Sequence, residues 1–124
     1  MSHSIPAFTT TPLSEIAPTH ARLTGTFLSG KTRSYEFRKR QLRKLYHVLV
    51  ANRDAVLAAL KKDLNKPTAE ALSAETTWLE YDIMTTLDNF DSLVADEPCE
   101  VPLKYKLMGP KLQKNPLGTA LVIG

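Results

Sequence analysis

Asn115-Pro116-Leu117-Gly118-Thr119-Ala120-Leu121-Val122-Ile123-Gly124 is the stretch whose reading decides the fold. Asn-Pro followed by Leu-Gly is a turn signal: proline fixes its own φ and pushes the preceding residue toward extended backbone. From Thr119 to Ile123 the chain is then continuously apolar instead of alternating. A strand with one face in water alternates, whereas a strand covered on both faces does not. Cover on both faces is the habit of parallel sheets flanked by crossover helices. The expectation is a strand that opens a doubly wound parallel sheet, with Gly124 at the start of a strand-to-helix turn. No crossover helix or second parallel strand follows, so the chain reads as a piece of a larger α/β fold.

Upstream, Lys111–Asn115 and Tyr105–Met108 read as two short strands around Gly109-Pro110, and Asp96–Pro102 as a break carrying two prolines. Four helices precede them. One is expected from Pro18 to Leu28, with proline in the first turn and Gly30 as the stop. A second begins near Ser34, where Phe37, Leu42, Leu45, Val48 and Leu49 recur at helical spacing and Arg38, Lys39, Arg43 and Lys44 lie mainly opposite. It pauses at Asn52 or Arg53, with Asp54 as N-cap of a third helix lined by Val56, Leu57, Leu60 and Leu64. Asn65, which tolerates a left-handed conformation, and Pro67 end that helix. A fourth runs from Thr68, as N-cap, to Val94, with Leu72, Leu79, Ile83, Leu87, Phe90 and Val94 on a 3.6-residue period beside Trp78. Residues 1–13, rich in Ser, Thr and Pro, are expected to be a mobile tail. Residues 14–124 form the structured part.

Composition excludes more than it assigns. With 43% hydrophobic and 23% charged residues, the 124-residue chain is ordinary for a globular protein, which excludes disorder for most of it. A net charge of +3 is too small to argue a nucleic-acid or membrane partner. A single cysteine, Cys99, excludes an intramolecular disulfide and fits a reducing compartment. No apolar run approaches the length of a membrane span, and Met1–Thr11 lacks the apolar region of a secretory signal. A cytoplasmic setting is expected, with an anchor downstream of residue 124 left open.

Ser29-Gly30-Lys31-Thr32-Arg33, Phe37-Arg38 and Gln41-Leu42 resemble the opening signature of class 3-type (fatty) aldehyde dehydrogenases. Ala58-Ala59-Leu60-Lys61-Lys62-Asp63-Leu64-Asn65-Lys66-Pro67, with Glu70-Ala71 and Glu75, is similar to a second motif of that family. Asn115-Pro116-Leu117-Gly118 leading into Leu121-Val122-Ile123-Gly124 is similar to a third. The three lie in collinear order over roughly Ala21–Gly124. Asn65 stands where the family often has Gly or His, and it tolerates the same backbone geometry.

The resemblance implies that residues 14–124 are the N-terminal part of an NAD(P)-binding domain, incomplete at its C-terminal end. It implies oxidation of aliphatic aldehydes to carboxylic acids with NAD or NADP, in a homodimeric parent. The family's nucleophilic cysteine and its glutamate lie downstream of this segment, and its oxyanion-stabilising asparagine belongs to a Pro-Trp-Asn motif that would follow Gly124. No catalytic residue is therefore assigned, the cofactor-binding residues are left unassigned, and the segment alone is expected to be inactive.

Other constellations have plainer explanations. Cys99 sits in Glu97-Pro98-Cys99-Glu100-Val101-Pro102, unlike the family's catalytic motif, with carboxylates near it where an activated thiol needs cations or a helix N-terminus. It reads as an incidental loop residue. His3, His20 and His47 are too scattered for a metal site. Seven basic residues against Glu36 lie between Lys31 and Lys44; without a stacking platform they read as a solvated helix face. Glu70, Glu75 and Glu80 recur every five residues, a step of about 140° on an α-helix, so they do not converge on one point. Trp78, Leu79, Ile83, Leu87 and Phe90 read as core, partly exposed when the segment stands alone. Two alternatives remain: a non-catalytic regulator that joins full-length subunits through the open strand Thr119–Ile123, and a basic helical nucleic-acid-binding module.

Overall fold

The computed structural model describes residues 9–122. Helix α1, Leu13–Leu28, begins at Leu13 and not at the expected Pro18, which lies inside it. A proline at that point removes only the one amide bond to the carbonyl a turn earlier, and Glu15 in the first turn favours the N-terminal dipole. Gly30, at φ +77°, ends the helix in the conformation that glycine adopts without strain. Helix α2, Tyr35–Ala51, starts as expected at Ser34, whose hydroxyl accepts from the Phe37 amide at 3.3 Å.

The joint between α2 and α3 (Arg53–Leu64) is Asn52, whose side-chain amide donates to the Val48 carbonyl at 2.7 Å. Asn52 thus takes the cap position expected for Asp54, which falls in the first turn of α3. Asn65 stands at φ +51°, held by the Lys61 ammonium on its side-chain oxygen at 2.7 Å. The cap of the next helix is Pro67; Thr68 is already helical.

The expected single helix from Thr68 to Val94 is divided into α4 (Thr68–Ala71), a π-helical segment Leu72–Thr77, α5 (Trp78–Asp88) and α6 (Phe90–Val94). The π segment resets the buried face. Ala71, Thr76, Ile83 and Phe90 are the residues buried among those described. Ala71 and Thr76 are five apart, which α-geometry would turn away from each other by about 140°. The i→i+5 bonding of a π turn brings them onto one side. The two following steps of seven residues are helical repeats. The expected core stripe is corrected accordingly: Ile83 and Phe90 are buried and Leu87 is half-buried, but Trp78 is 67% and Leu79 41% exposed. Helix α2 packs on α5, and α3 packs on α4 and the π segment. Tyr35 meets Phe90 edge to face at 5.9 Å.

The strands differ most from expectation. β1 (Glu97–Pro98) pairs antiparallel with β2 (Lys111–Leu112), in the register Glu97 to Leu112 and Pro98 to Lys111. Proline is tolerated in such a two-stranded edge because its missing donor faces no further strand. The segment expected as a strand at Tyr105–Met108 is instead the end of a helical turn, α7 (Leu103–Lys106), and the turn after it. Pro102, extended at φ −51° and ψ 149°, accepts from the Tyr105 amide at 2.9 Å and starts that turn. Of Lys111–Asn115 only the first two residues pair. Thr119–Val122 joins no ladder among the described residues, and a strand is made by its partner. The strand expected over Thr119–Ile123 also extends past the described residues, as does Gly124. The parallel sheet is thus not formed within residues 9–122; the described part is mostly helical with one small antiparallel pair.

Candidate functional site

Two clefts lie side by side on the face where α1, α2 and α6 meet the C-terminal segment. The first, about 400 Å³, is walled by Leu23 and Phe27 of α1, Thr32, Arg38, and Pro116 and Thr119 of the tail. The second, about 410 Å³, lies between α2 and α5–α6 and is walled by Phe37, Arg38, Leu42, Thr86, Phe90 and Leu93. Arg38 belongs to both. Its guanidinium lies 5.3 Å from the centre of the Phe90 ring, on which the Lys39 ammonium also stands at 5.3 Å.

Ion pairs hold the frame around these clefts. Lys39 pairs with Asp91 at 2.7 Å and ties α2 to α6. Arg53 grips Glu80 through two nitrogens, at 2.6 Å for the closest contact, and ties α3 to α5. That hydrogen-bonded carboxylate holds the Arg53 guanidinium above its ordinary range. Lys66 bonds both Glu75 and Glu70, and the bond to Glu75 raises its ammonium above the ordinary lysine range. Glu70 and Glu75 therefore do converge, against the expectation from α-geometry, because the π segment lies between them. They converge on a lysine and not on a pocket. Lys114 donates to the Leu93 carbonyl at 3.1 Å and to Glu97 at 2.6 Å, and so caps α6.

No family model matches the chain, and no solved structure matches it. Curated proteins do. Beta-apo-4'-carotenal oxygenase of Gibberella fujikuroi is 38% identical over 125 residues, covering 100% of this chain and 23% of that protein. The family 3 aldehyde dehydrogenase comG of Dictyostelium discoideum is 32% identical over 120 residues, 97% of this chain and 25% of its own length. Aldehyde dehydrogenase family 3 member B2 of Mus musculus is 35% identical over 97 residues, 78% of this chain and 20% of its own. The chain belongs to aldehyde dehydrogenase family 3. It spans 20–25% of the length of these relatives.

Within this family 3 chain, Cys99 is exposed in the hairpin, its amide donating to the Pro110 carbonyl at 3.4 Å. His20 Nε2 lies 3.5 Å from the Thr119 hydroxyl, and His47 stands beside the Tyr46 ring. His3 lies outside the described residues. Among the described residues no three His, Cys, Asp or Glu side chains gather as a metal site, and no helix is long and apolar enough to cross a membrane. A dinucleotide needs a Gly-rich turn at a helix N-terminus. Gly25 lies inside α1, Gly30 follows its end, and Gly109 and Gly118 lie outside any helix. The described residues of this family 3 chain therefore do not fit a pyrophosphate cradle. Sequence reasoning missed Arg38 as the shared wall, since nothing in linear spacing brings it to Phe90.

Proposed function

We propose that the chain forms the N-terminal part of the NAD(P)-binding domain of an aldehyde dehydrogenase that oxidises aliphatic aldehydes to carboxylic acids. The observation that carries this reading is 32% identity over 97% of the chain to a family 3 aldehyde dehydrogenase, of which it matches 25%. The bound nicotinamide supplies the hydride acceptor in such chemistry. No step is assigned to it on this chain, because the described residues make no cradle for it.

The chain's own contribution is scaffolding. Helices α2 and α3 are fastened to the π segment and α5–α6 by Lys39, Arg53 and Lys66, and the hairpin delivers residues 113–122 along α1. In the parent, that segment would enter the doubly wound sheet as its first strand, covered on both faces. A homodimeric parent and a cytoplasmic setting belong to the same reading. The family's nucleophilic cysteine and glutamate lie downstream of the stretch matched here, so the isolated chain is inactive. The test is nicotinamide reduction by the purified chain with NAD or NADP and hexanal or hexadecanal. The rate expected is that of the protein-free blank; saturable, aldehyde-dependent reduction would overturn the reading.

A further inference from the structure

The helical run Thr68–Val94 carries two registers in its sequence. Thr76, Ile83 and Phe90 are buried on one face at steps of seven residues. Upstream, that face is continued by Ala71, five residues before Thr76 and fully buried, while Leu72 is 38% exposed. An unbroken α-helix would instead place Leu72 there, four residues before Thr76, and Leu72 is apolar too. The π segment Leu72–Thr77 therefore decides whether Ala71 or Leu72 turns inward. Interchange rotates only α4, four residues long, by about 100° and leaves α5 and α6 against α2. A π turn gives up regular α bonding, and here it also leaves a leucine in water where an alanine is buried. Both costs need an offset.

Lys66 supplies it. The left-handed turn at Asn65 and the 3.4 Å bond from the Lys66 amide to the Leu60 carbonyl fix this lysine at the foot of α4. Its side chain is only 17% exposed, and its ammonium stands 3.7 Å from Glu70 and donates a hydrogen bond to Glu75. The π register sets these two carboxylates on one side, which is unfavourable for like charges unless a cation lies between them. The unbroken register parts them by about 140°, so the repulsion and the bridge disappear together. The sign of the Glu70–Glu75 interaction thus follows the charge on Lys66.

We propose that Lys66 latches a two-position switch in this helix. Bridged to Glu70 and Glu75 it holds the π register with Ala71 inward, and loss of its positive charge releases the unbroken α register with Leu72 inward. The released motion is a helix register shift, which belongs to the microsecond-to-millisecond range.

The test reads the Ala71 and Leu72 methyl groups by NMR in the full chain, with a soluble paramagnetic agent marking those open to solvent. Lys66→Gln should raise the ratio of the form with Leu72 shielded and Ala71 open by about threefold or more, whereas Lys66→Arg, which keeps the charge, should not. Deleting Ala74 lets an unbroken α-helix keep Ala71 inward, so in that background Lys66→Gln should leave both methyl groups as they are. A lysine with a merely structural role would disturb both backgrounds alike. If Lys66→Gln unfolds the chain, Glu75→Gln, which removes one arm of the bridge, is read in its place with the same expectation. Unchanged methyl exposure in the variant read, an equal change in Lys66→Arg, or an equal change in the background lacking Ala74 would each overturn the proposal.

Discussion

Asn65 shows how far a single residue can be read without a structure. Its left-handed backbone, φ +51°, follows from an asparagine two residues before Pro67 at the end of an apolar repeat. Asn65→Gly should leave stability within about 0.5 kcal/mol, whereas Asn65→Val should cost about 1–2 kcal/mol, because a β-branched side chain meets the carbonyl in that conformation. Urea unfolding followed by circular dichroism checks both, and equal midpoints for the two variants would contradict the assignment. Arg53 and Glu80 were illegible by comparison. They are 27 residues apart, and no local spacing rule reaches that distance. Lys66 carries a pH consequence whose sign is fixed. Its folded-state pKa is raised by Glu75, so its contribution is fully present below the ordinary lysine value, ~10.4, and is lost only as pH rises through the higher folded value. Lys66→Met should therefore lose stability relative to the parent at neutral pH and converge with it on the alkaline side. A gap that widens above that pH would refute the pairing.

At the scale of elements, the helices were readable from period and caps, and the π segment was not. The apolar residues between Leu72 and Val94 fit a 3.6-residue repeat, but burial follows Ala71, Thr76, Ile83 and Phe90 instead. A threonine was not among the residues expected inside; its hydroxyl is satisfied by the Leu72 carbonyl at 3.1 Å. Five residues across a π turn do the work of four across an α turn. Deleting the exposed Ala74 should consequently close the turn to α-geometry and keep both faces aligned, changing stability by less than about 1 kcal/mol. Ile83→Ala, which empties a buried site, should cost about 2–4 kcal/mol. Chemical denaturation of the two proteins compares them directly; a deletion as damaging as Ile83→Ala would mean the π segment is not a simple one-residue insertion. The strands were the least legible elements. Pro102 permits a helix start as readily as a break, and only the pairing of Glu97–Pro98 with Lys111–Leu112 decides where the ladder falls.

For the whole molecule, local pattern and global surface point the same way. An apolar run without alternation anticipates cover on both faces, and Leu121 and Val122 are 84% and 89% exposed. Exposed apolar area of this kind is a surface for association or aggregation. The family was legible because three motifs lie in order along the chain, and the relatives match it over 78–100% of its length. The catalytic site was not legible, since family membership does not place chemistry on residues that lack the geometry for it. The most direct measurement is made on a chimera in which this chain replaces the matching quarter of the Dictyostelium discoideum family 3 aldehyde dehydrogenase. The quantity to read is aldehyde-dependent formation of NADH or NADPH, beside the unmodified relative and the isolated chain. Activity in the chimera within about tenfold of the relative, with none in the isolated chain, is the result expected of an N-terminal scaffold whose chemistry lies elsewhere. A chimera that is folded and soluble but inert, or an isolated chain that turns over aldehyde, would contradict it.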